Sequence, residues 1–312
     1  MNNTEKKQTN NIFLIALQGV AMSLADSVPG VSGGTIAFIL GYYDRFIGAI
    51  NDLFFAGKDK IKRKKAFFYL LKFMVGWILG FIVALKILSK VFESHIYVVC
   101  SLFLGFVLAA IPVIIIEERD VLKEKARWWH GIFAIIGAAV VVLVVYLNAN
   151  RATDNVIDIT EFGVGTGAYM MLAGAIAITA MFLPGMSGST LMLVFGVYFQ
   201  IIAGLNGVLG GDFRVVPACL CFIVGAAGGA LLSVKGIRAA LDRFRSQSLF
   251  LIIGMLFGSL YAILMGPTTL KENPMPMIDF GTFKVVPFMV GVAVIVGMQV
   301  IKTLISKRAV NK

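Results

Sequence analysis

Charged residues are scarce in this chain of 312 residues, and their scarcity excludes most soluble classes of protein. Asp, Glu, Lys and Arg make up 14% of the residues, whereas an average soluble domain contains about 25%. Hydrophobic residues make up 59%, and the mean hydropathy is +0.89. The composition therefore excludes an ordinary soluble enzyme and a disordered chain, and it predicts that much of the protein lies in lipid.

Cysteine and histidine are also rare, which argues against several kinds of site. The three cysteines, Cys100, Cys219 and Cys221, lie in apolar runs, so we expect neither a disulfide framework nor a metal site. The two histidines are near the ends of predicted helices, and neither an HExxH sequence nor a Walker loop occurs. Without such equipment we expect no cofactor and no enzymatic activity.

Long uncharged runs are abundant instead. They comprise 21 residues at Ile96–Ile116, 20 at Val215–Val234, 25 at Ser246–Leu270 and 50 at Phe162–Gly211. A helix needs about 20 apolar residues to cross a bilayer, and strands of a membrane barrel would alternate between apolar and polar residues. The sequence therefore predicts an all-α polytopic membrane protein with a single membrane domain, residues 1–312.

One motif occurs twice, 155 positions apart. Pro29–Thr35 reads PGVSGGT and Pro184–Thr190 reads PGMSGST, and seven of 15 positions are identical when each copy is extended to its tyrosine, Tyr43 or Tyr198. Farther along, glycines match with an offset of 149. The matched residues are Pro, Gly, Ser and Thr rather than Leu and Val, so we interpret the chain as two homologous repeats, about 12–148 and 167–304.

Each repeat is predicted to begin with a re-entrant helical hairpin and to continue with three transmembrane helices. In the first repeat the short arms 12–25 and about 34–50 flank Asp26–Gly30, a Gly/Pro interruption typical of a midplane binding site. Three crossings per repeat is an odd number, so the second repeat must be inverted. The predicted spans are about 66–90, 96–116, 128–148, 217–234, 249–266 and 285–303.

The basic residues support this topology. With both termini on the cytoplasmic side, 20 of the 28 Lys and Arg residues fall inside, five fall outside, and three lie within apolar segments. This asymmetry is the positive-inside pattern. We therefore attribute the net charge of +11 to membrane topology, and we expect no nucleic-acid partner.

The motif residues predict an anion site at the hairpin tips. A helix N-terminus offers free N–H groups and partial positive charge, and opposed hairpins would bring two such termini together. Tight helix packing and simple capping are the alternative explanation for the same residues. The predicted phosphate contacts are Ser32, Gly33, Gly34, Thr35, Ser187, Gly188, Ser189 and Thr190, with Pro29, Gly30, Pro184 and Gly185 shaping the tips.

Four further residues are candidates for coupling or for contact with a headgroup. Asp26 is the one charge between Ile12 and Tyr43, and it either binds a proton or cation or stabilises the hairpin through backbone N–H groups. Arg45 either extends to the interface or holds a lipid phosphate. Tyr43 and its match Tyr198 complete the set.

The paired motifs resemble the two signatures of a known bacterial membrane family. Residues 26–35 read DSVPGVSGGT and are followed by GYY, and residues 183–190 read LPGMSGST and are followed by GVY. The chain is thus similar, over nearly its whole length, to the domain-of-unknown-function 368 family (DUF368), which is associated with PopT-type undecaprenyl-phosphate translocases. The resemblance implies a flippase that returns the C55 lipid carrier from the outer to the inner leaflet of the cytoplasmic membrane for cell-envelope synthesis.

Two other functions remain open at this point. A secondary transporter or channel for a small anion could use the same helix N-termini. An undecaprenyl-pyrophosphate phosphatase of the BacA type would also have inverted repeats, but its signature carries an arginine where this chain has Gly33 and Gly188. Without that arginine, a phosphatase would lose its main electrostatic stabiliser.

Overall fold

The protein is all-helical, as predicted, in the part of the chain that the computed structural model describes. That part comprises residues 11–26, 32–57, 59–83, 89–124, 127–149, 159, 162–198, 200–201, 213–269 and 275–310, and it contains no strand. The first half contains α1 (Ile12–Asp26), α2 (Gly33–Ile39), α3 (Tyr43–Phe55), α4 (Lys60–Val83), α5 (Ser89–Glu117), α6 (Arg119–Glu124) and α7 (Gly131–Ala149). The second half contains α8 (Val164–Phe182), α9 (Gly188–Val194), α10 (Val216–Arg243), α11 (Arg245–Leu264) and α12 (Val285–Val310).

Six of the described helices are long and apolar enough to cross a membrane. They are Lys60–Val83, His95–Glu117, Trp128–Leu147, Val164–Phe182, Val216–Arg243 and Arg245–Leu264. Five of them coincide with predicted spans. The sixth, α8, was expected to be a short hairpin arm, yet it has 19 residues where its counterpart α1 has 15. The remaining predicted span, 285–303, lies within α12.

The segment 34–50, predicted as the second arm of a hairpin, is not one helix, so the prediction was wrong in this respect. The chain turns between α2 and α3 because Gly41 adopts φ +72, a conformation that glycine takes without steric cost. The Tyr42 N–H then donates to the Ala37 carbonyl at 3.0 Å, which closes a Schellman motif. α9 ends in the same way, with Gly196 at φ +73.

Glycines bring the backbones of two helix pairs into direct contact. α1 packs on α4, and α8 packs on α10. A Cβ atom at Gly76 of α4 would overlap the carbonyl of Ala16 on α1, and one at Gly225 of α10 would overlap the carbonyl of Met171 on α8. Small residues at such contacts let membrane helices approach closely. The two contacts are related by the same offsets, 149 and 155, as the sequence matches.

The other long helices pair across the two halves of the chain. α5 packs on α12, and α7 packs on α11. Glycines again fill the contacts, since a Cβ atom at Gly105 would overlap the Phe288 carbonyl and one at Gly254 would overlap the Ala134 carbonyl. Each half therefore contributes one helix to each of these pairs, and the two halves are interlocked.

Candidate functional site

The structure brings the two motifs into direct contact. The Thr35 hydroxyl oxygen accepts a hydrogen bond from the Gly185 N–H at 2.6 Å. The Ser32 hydroxyl donates to the Leu183 carbonyl at 3.2 Å. Residues about 150 positions apart in sequence are thereby joined, and side chains of the first motif hold the backbone of the second.

Tyr43 and Gly34 complete this contact. The Tyr43 hydroxyl donates to the Phe182 carbonyl at 2.8 Å, and only 2% of the Tyr43 residue is exposed. A Cβ atom at Gly34 would come within 3.1 Å of the same carbonyl oxygen. Tyr43, a candidate for headgroup contact, thus lies inside the protein and fixes the second tip.

The first turn of α2 has its hydrogen bonds satisfied within the protein. The Gly33 N–H donates to Asp26 Oδ1 at 2.7 Å, and the Gly34 N–H donates to the Ser32 hydroxyl at 3.2 Å. The Thr35 N–H donates to the Ser32 carbonyl at 3.0 Å. A carboxylate and a serine therefore cap this helix, as N-caps do, and Asp26 occupies the place that a bound anion would take.

The corresponding position in the second half carries an apolar side chain. Met181 lies against Gly188 as Asp26 lies against Gly33, since a Cβ atom at either glycine would contact the matching side chain. A methionine thioether is at best a weak acceptor. The second motif thus has the same packing around its glycine but no internal anion.

The first turn of α9 is consequently uncapped. Ser187 makes no side-chain capping bond, and its hydroxyl lies 2.8 Å from the Ser189 hydroxyl. Across the described ranges, the N–H groups of Gly188, Ser189 and Thr190 have no acceptor. Three N–H groups, the Thr190 hydroxyl and one proton of the bonded Ser187–Ser189 pair are therefore available to an anion at this helix end.

A cleft lies beside this uncapped turn. Ser187 and Thr190 form its polar side, and Val141, Val144 and Val145 of α7 form an apolar wall. Gly185, Met186 and Ala262 complete the lining. In this conformation the cleft has room for about one water molecule, and Val141 and Val145 are buried, so it is a polar turn beside apolar packing rather than an open pocket. No sequence signal singled out the valines, because they resemble any lipid-facing residues.

Charged residues that were predicted on the cytoplasmic side lie together. Arg245 donates to Glu118 at 2.5 Å and to Asp44 at 3.3 Å. The Arg45 guanidinium lies 4.4 Å from the centre of the Tyr69 ring. Sequence reasoning missed Arg245 as a partner of Asp44 because 201 positions separate them.

The structure describes only some of the remaining residues that were predicted at the tips. Pro29 and Gly30 lie outside the described residues. Pro184 and Gly185 are buried at the second tip, where Gly185 adopts φ +85 and a Cβ atom would lie 2.5 Å from the Met255 carbonyl oxygen. Only glycine fits this turn. Tyr198 is partly buried, and its contact with a headgroup stays a prediction.

Comparison with known proteins identifies the family. The family model described as VCA0040-like, undecaprenyl phosphate translocase-like, matches residues 22–277. The chain belongs to this family. A polyprenyl-phosphate transporter of Staphylococcus aureus is 30% identical over 257 residues, which cover 81% of this chain and 86% of the relative. A polyprenyl-phosphate transporter of Vibrio cholerae serotype O1 is 27% identical over 261 residues, which cover 81% and 78%.

No solved structure matches this chain. The family and both relatives are transporters rather than enzymes, so the resemblance that the paired motifs suggested is confirmed. The six candidate spans and the bacterial transporter relatives together describe a multi-pass membrane protein.

Proposed function

We propose that this protein returns undecaprenyl phosphate, the C55 polyprenyl-phosphate carrier, from the outer to the inner leaflet of the bacterial cytoplasmic membrane. One observation carries the proposal: three N–H groups at the start of α9 have no acceptor among the described residues, whereas the three at the start of α2 all have one. Membership of a translocase-like family agrees with a lipid phosphate as the substrate.

The phosphate would bind first at the second motif. The N–H groups of Gly188, Ser189 and Thr190, with the neighbouring hydroxyls, would replace the water around the phosphate oxygens. The polyprenyl tail would lie against Val144 and its neighbours on α7, beside the motif in the same cleft. The cleft would have to open to admit the tail, and it would then offer an apolar side that a small anion would not use.

The first motif would bind the phosphate in a second conformation. Ser32 and Thr35 are engaged with the second tip in the conformation described here. If the two tips separate, these two hydroxyls become available, while the Gly33 N–H stays bonded to Asp26 and the Gly34 N–H to Ser32. Alternation between the two arrangements would expose the site to one leaflet at a time.

Inverted repeats with re-entrant hairpins would give this alternation its two states. The matched glycine contacts and the matched ends of α2 and α9 support a repeat relation between the halves. The joining of Asp44, Glu118 and Arg245 supports a topology that puts all three on the same, cytoplasmic, side. Both termini would then also be cytoplasmic.

Protonation of Asp26 would couple translocation to a proton gradient. As a carboxylate, Asp26 holds negative charge at the start of α2 and would repel a phosphate there. Protonation removes that charge while Oδ1 can still accept from the Gly33 N–H. A phosphate could then bind at the first motif. Proton binding and phosphate binding would therefore favour each other.

A reconstituted leaflet-exchange assay tests the function. Protein would be placed in liposomes with undecaprenyl phosphate, and exposure of the phosphate on each leaflet would be followed with and without a pH gradient. Release of free phosphate from undecaprenyl pyrophosphate would be measured in parallel, and chloride and inorganic-phosphate flux would serve as controls.

The proposal predicts faster exchange of the lipid phosphate, no release of phosphate and no flux of small anions. Release of free phosphate without exchange would instead indicate a phosphatase. Flux of small anions without lipid exchange would indicate an ion transporter, and either result would overturn the proposal.

A further inference from the structure

Buried polar atoms without a hydrogen-bond partner are concentrated in one half of the molecule. Four such atoms occur in the described part of the chain, and three of them belong to α1 and α4: Gln18 Oε1, Asp26 Oδ2 and the Tyr69 hydroxyl. The fourth, on Gln200, lies in the second half. Gln18 and Asp26 belong to α1 and Tyr69 belongs to α4, and these two helices pack directly on each other.

Tyr42 connects these groups. Its hydroxyl donates to the Gln18 carbonyl at 3.0 Å, and its ring and the Tyr69 ring both pack against Phe73, with centroid distances of 6.1 and 6.3 Å. Gln18 and Asp26 are eight residues apart on α1, or about 12 Å along the helix axis. Arg45 stacks on Tyr69 at the other end. The four polar residues thus form a track that leads from the Arg45 side to the hairpin tip.

The matching positions of the second half are apolar among the residues that the structure describes. The offsets of the repeat relate Gln18, Asp26, Tyr42 and Tyr69 to Ala173, Met181, Val197 and Ala218. All four counterparts are apolar, and three of them pack together in one buried hydrophobic cluster. These four matched positions therefore carry polar side chains in the first half and apolar side chains in the second.

Hydration explains why the unpaired atoms are tolerated. Buried polar groups in native proteins almost always have a partner, and ordered water supplies it where protein atoms do not. Gln18 Oε1 and Asp26 Oδ2 are acceptors. The Trp77 side chain of α4 also approaches the Asp26 carboxylate, and each acceptor can still bond a water molecule. The Tyr42 and Tyr69 hydroxyls can both donate and accept, so waters between them would form a continuous hydrogen-bonded chain.

We propose that the first half alone contains a hydrated proton path from the cytoplasmic side to Asp26, lined by Tyr69, Tyr42 and Gln18. A hydronium ion at the inner end releases a proton to the chain, each water passes one on, and the last proton forms an O–H bond on Asp26 Oδ2. The reverse transfer restores the carboxylate. The path deepens the proposed function, since proton-coupled translocation is what it would serve.

The charged and titratable groups around this path are few. α1 contributes only Asp26, and α2 contributes none. Tyr42 at the start of α3 and Tyr69 on α4 face it, with Arg45 of α3 on the outer side of Tyr69. A negative charge on Asp26 has no cation against it among these described groups, so a proton is the positive charge that the path can deliver.

Radiolytic hydroxyl-radical footprinting tests the hydration without any assay of transport. Bound water generates radicals locally, so Tyr42 and Tyr69 should be oxidised although they are only 3% and 6% exposed. Met170, which is 0% exposed and lies in the apolar cluster of the second half, is the matched control. Methionine is intrinsically easy to oxidise, so protection of Met170 together with labelling of both tyrosines supports the path. Protection of the tyrosines as complete as that of Met170 would overturn it.

Proton uptake tests the conduction. Proteoliposomes with a pH-sensitive dye inside would receive undecaprenyl phosphate, and acidification would be compared for the wild type, Gln18→Ala, Tyr69→Phe and the control Tyr169→Phe. The control removes a hydroxyl that is already bonded to the Phe195 carbonyl in the second half. A step of 1.4 kcal/mol is a tenfold change in rate, so loss of one relay group should slow acidification about tenfold in the two path variants and leave the control unchanged.

Exchange of the lipid without a gradient is measured on the same preparations. Slowed acidification together with slowed exchange in Gln18→Ala and Tyr69→Phe, with both rates unchanged in Tyr169→Phe, supports the path, because phosphate binding at the first motif depends on protonation of Asp26. Unchanged acidification in both variants would contradict it, and so would uptake of sodium instead of protons. If the wild type exchanges no lipid at all, the proposed function fails, and the footprinting result still decides whether the path exists.

Discussion

Helices α2 and α9 are each seven residues long, begin after a serine, and end at a glycine with φ +72 or φ +73. Their first turns nevertheless differ: α2 is capped by Asp26 and Ser32, whereas α9 has Met181 where the aspartate would be. The comparison shows that two repeats can share the same backbone packing while their helix ends differ in how they are capped. Glycines and turn residues keep the backbone the same, and one side chain decides whether a helix end is occupied or open to an anion.

The largest effect is expected when a carboxylate is introduced at the second motif, which would make the start of α9 resemble that of α2. Met181→Asp would put a negative charge against the N–H groups of α9, as Asp26 does at α2, and repel the phosphate. We expect translocation to fall about 100-fold, which corresponds to about 3 kcal/mol. Leaflet exchange in proteoliposomes measures it, with Met181→Leu as the control that keeps the size and adds no charge. Full activity in Met181→Asp would place the phosphate elsewhere.

Because the glycine contacts of the two halves match, substitution of either glycine should lower stability by a similar amount. Gly76→Ala and Gly225→Ala each force a methyl group into a facing carbonyl, so each should lower stability by about 1–3 kcal/mol. Thermal unfolding in detergent checks this. Gly228→Ala is the control, because nothing lies within 4 Å of its Cβ position. A large loss in one half and none in the other would show that the two helix pairs are not equivalent.

The matched threonines should separate stability from transport. Thr35→Val leaves the Gly185 N–H buried without its acceptor, so we expect a loss of about 1–2 kcal/mol in stability. Thr190→Val, at a partly buried position of the cleft, should change stability little and weaken transport. Unfolding and exchange measured on both variants test the pair. Loss of transport with normal stability in Thr35→Val, and loss of stability in Thr190→Val, would mean that the first motif binds the phosphate and the second holds the structure together.

The smallest effect is expected at the ion pairs between the halves. Arg245 contacts Glu118 and Asp44, but a third of its side chain is exposed, at 34%. Arg245→Gln should therefore cost only about 0.5 kcal/mol, and less at high salt, because water and ions screen such pairs. Unfolding at two ionic strengths measures the change. A loss as large as that of Thr35→Val would mean that the pairs, rather than the motif contacts, hold the halves together.

Much of the fold was predictable from the sequence because bilayer length and glycine spacing are strong constraints. Five of the six candidate spans coincide with spans predicted from the apolar segments. The break at Gly41 was missed, since a glycine within an apolar run signals close helix packing as readily as a turn. The length of α8 was missed too, because nothing in its composition separates a short arm from a span.

The candidate site was only partly predictable. The repeated motif pointed to residues that the structure brings into contact, and their binding of phosphate stays a prediction. The mismatch between Asp26 and Met181 was visible in the alignment of the two copies. That Ser32 and Thr35 bind the backbone of the other motif could not be predicted, because such contacts depend on how two distant segments pack. The apolar wall from α7 was hidden for the same reason.

The most direct test of the central claim is the position of the phosphate itself. A cryo-electron microscopy structure of the full chain in nanodiscs with undecaprenyl phosphate would locate it. The account predicts phosphate oxygens within hydrogen-bond distance of the Gly188, Ser189 and Thr190 N–H groups, with the tail along α7. A phosphate bound at Arg45, with α9 unoccupied, would contradict it.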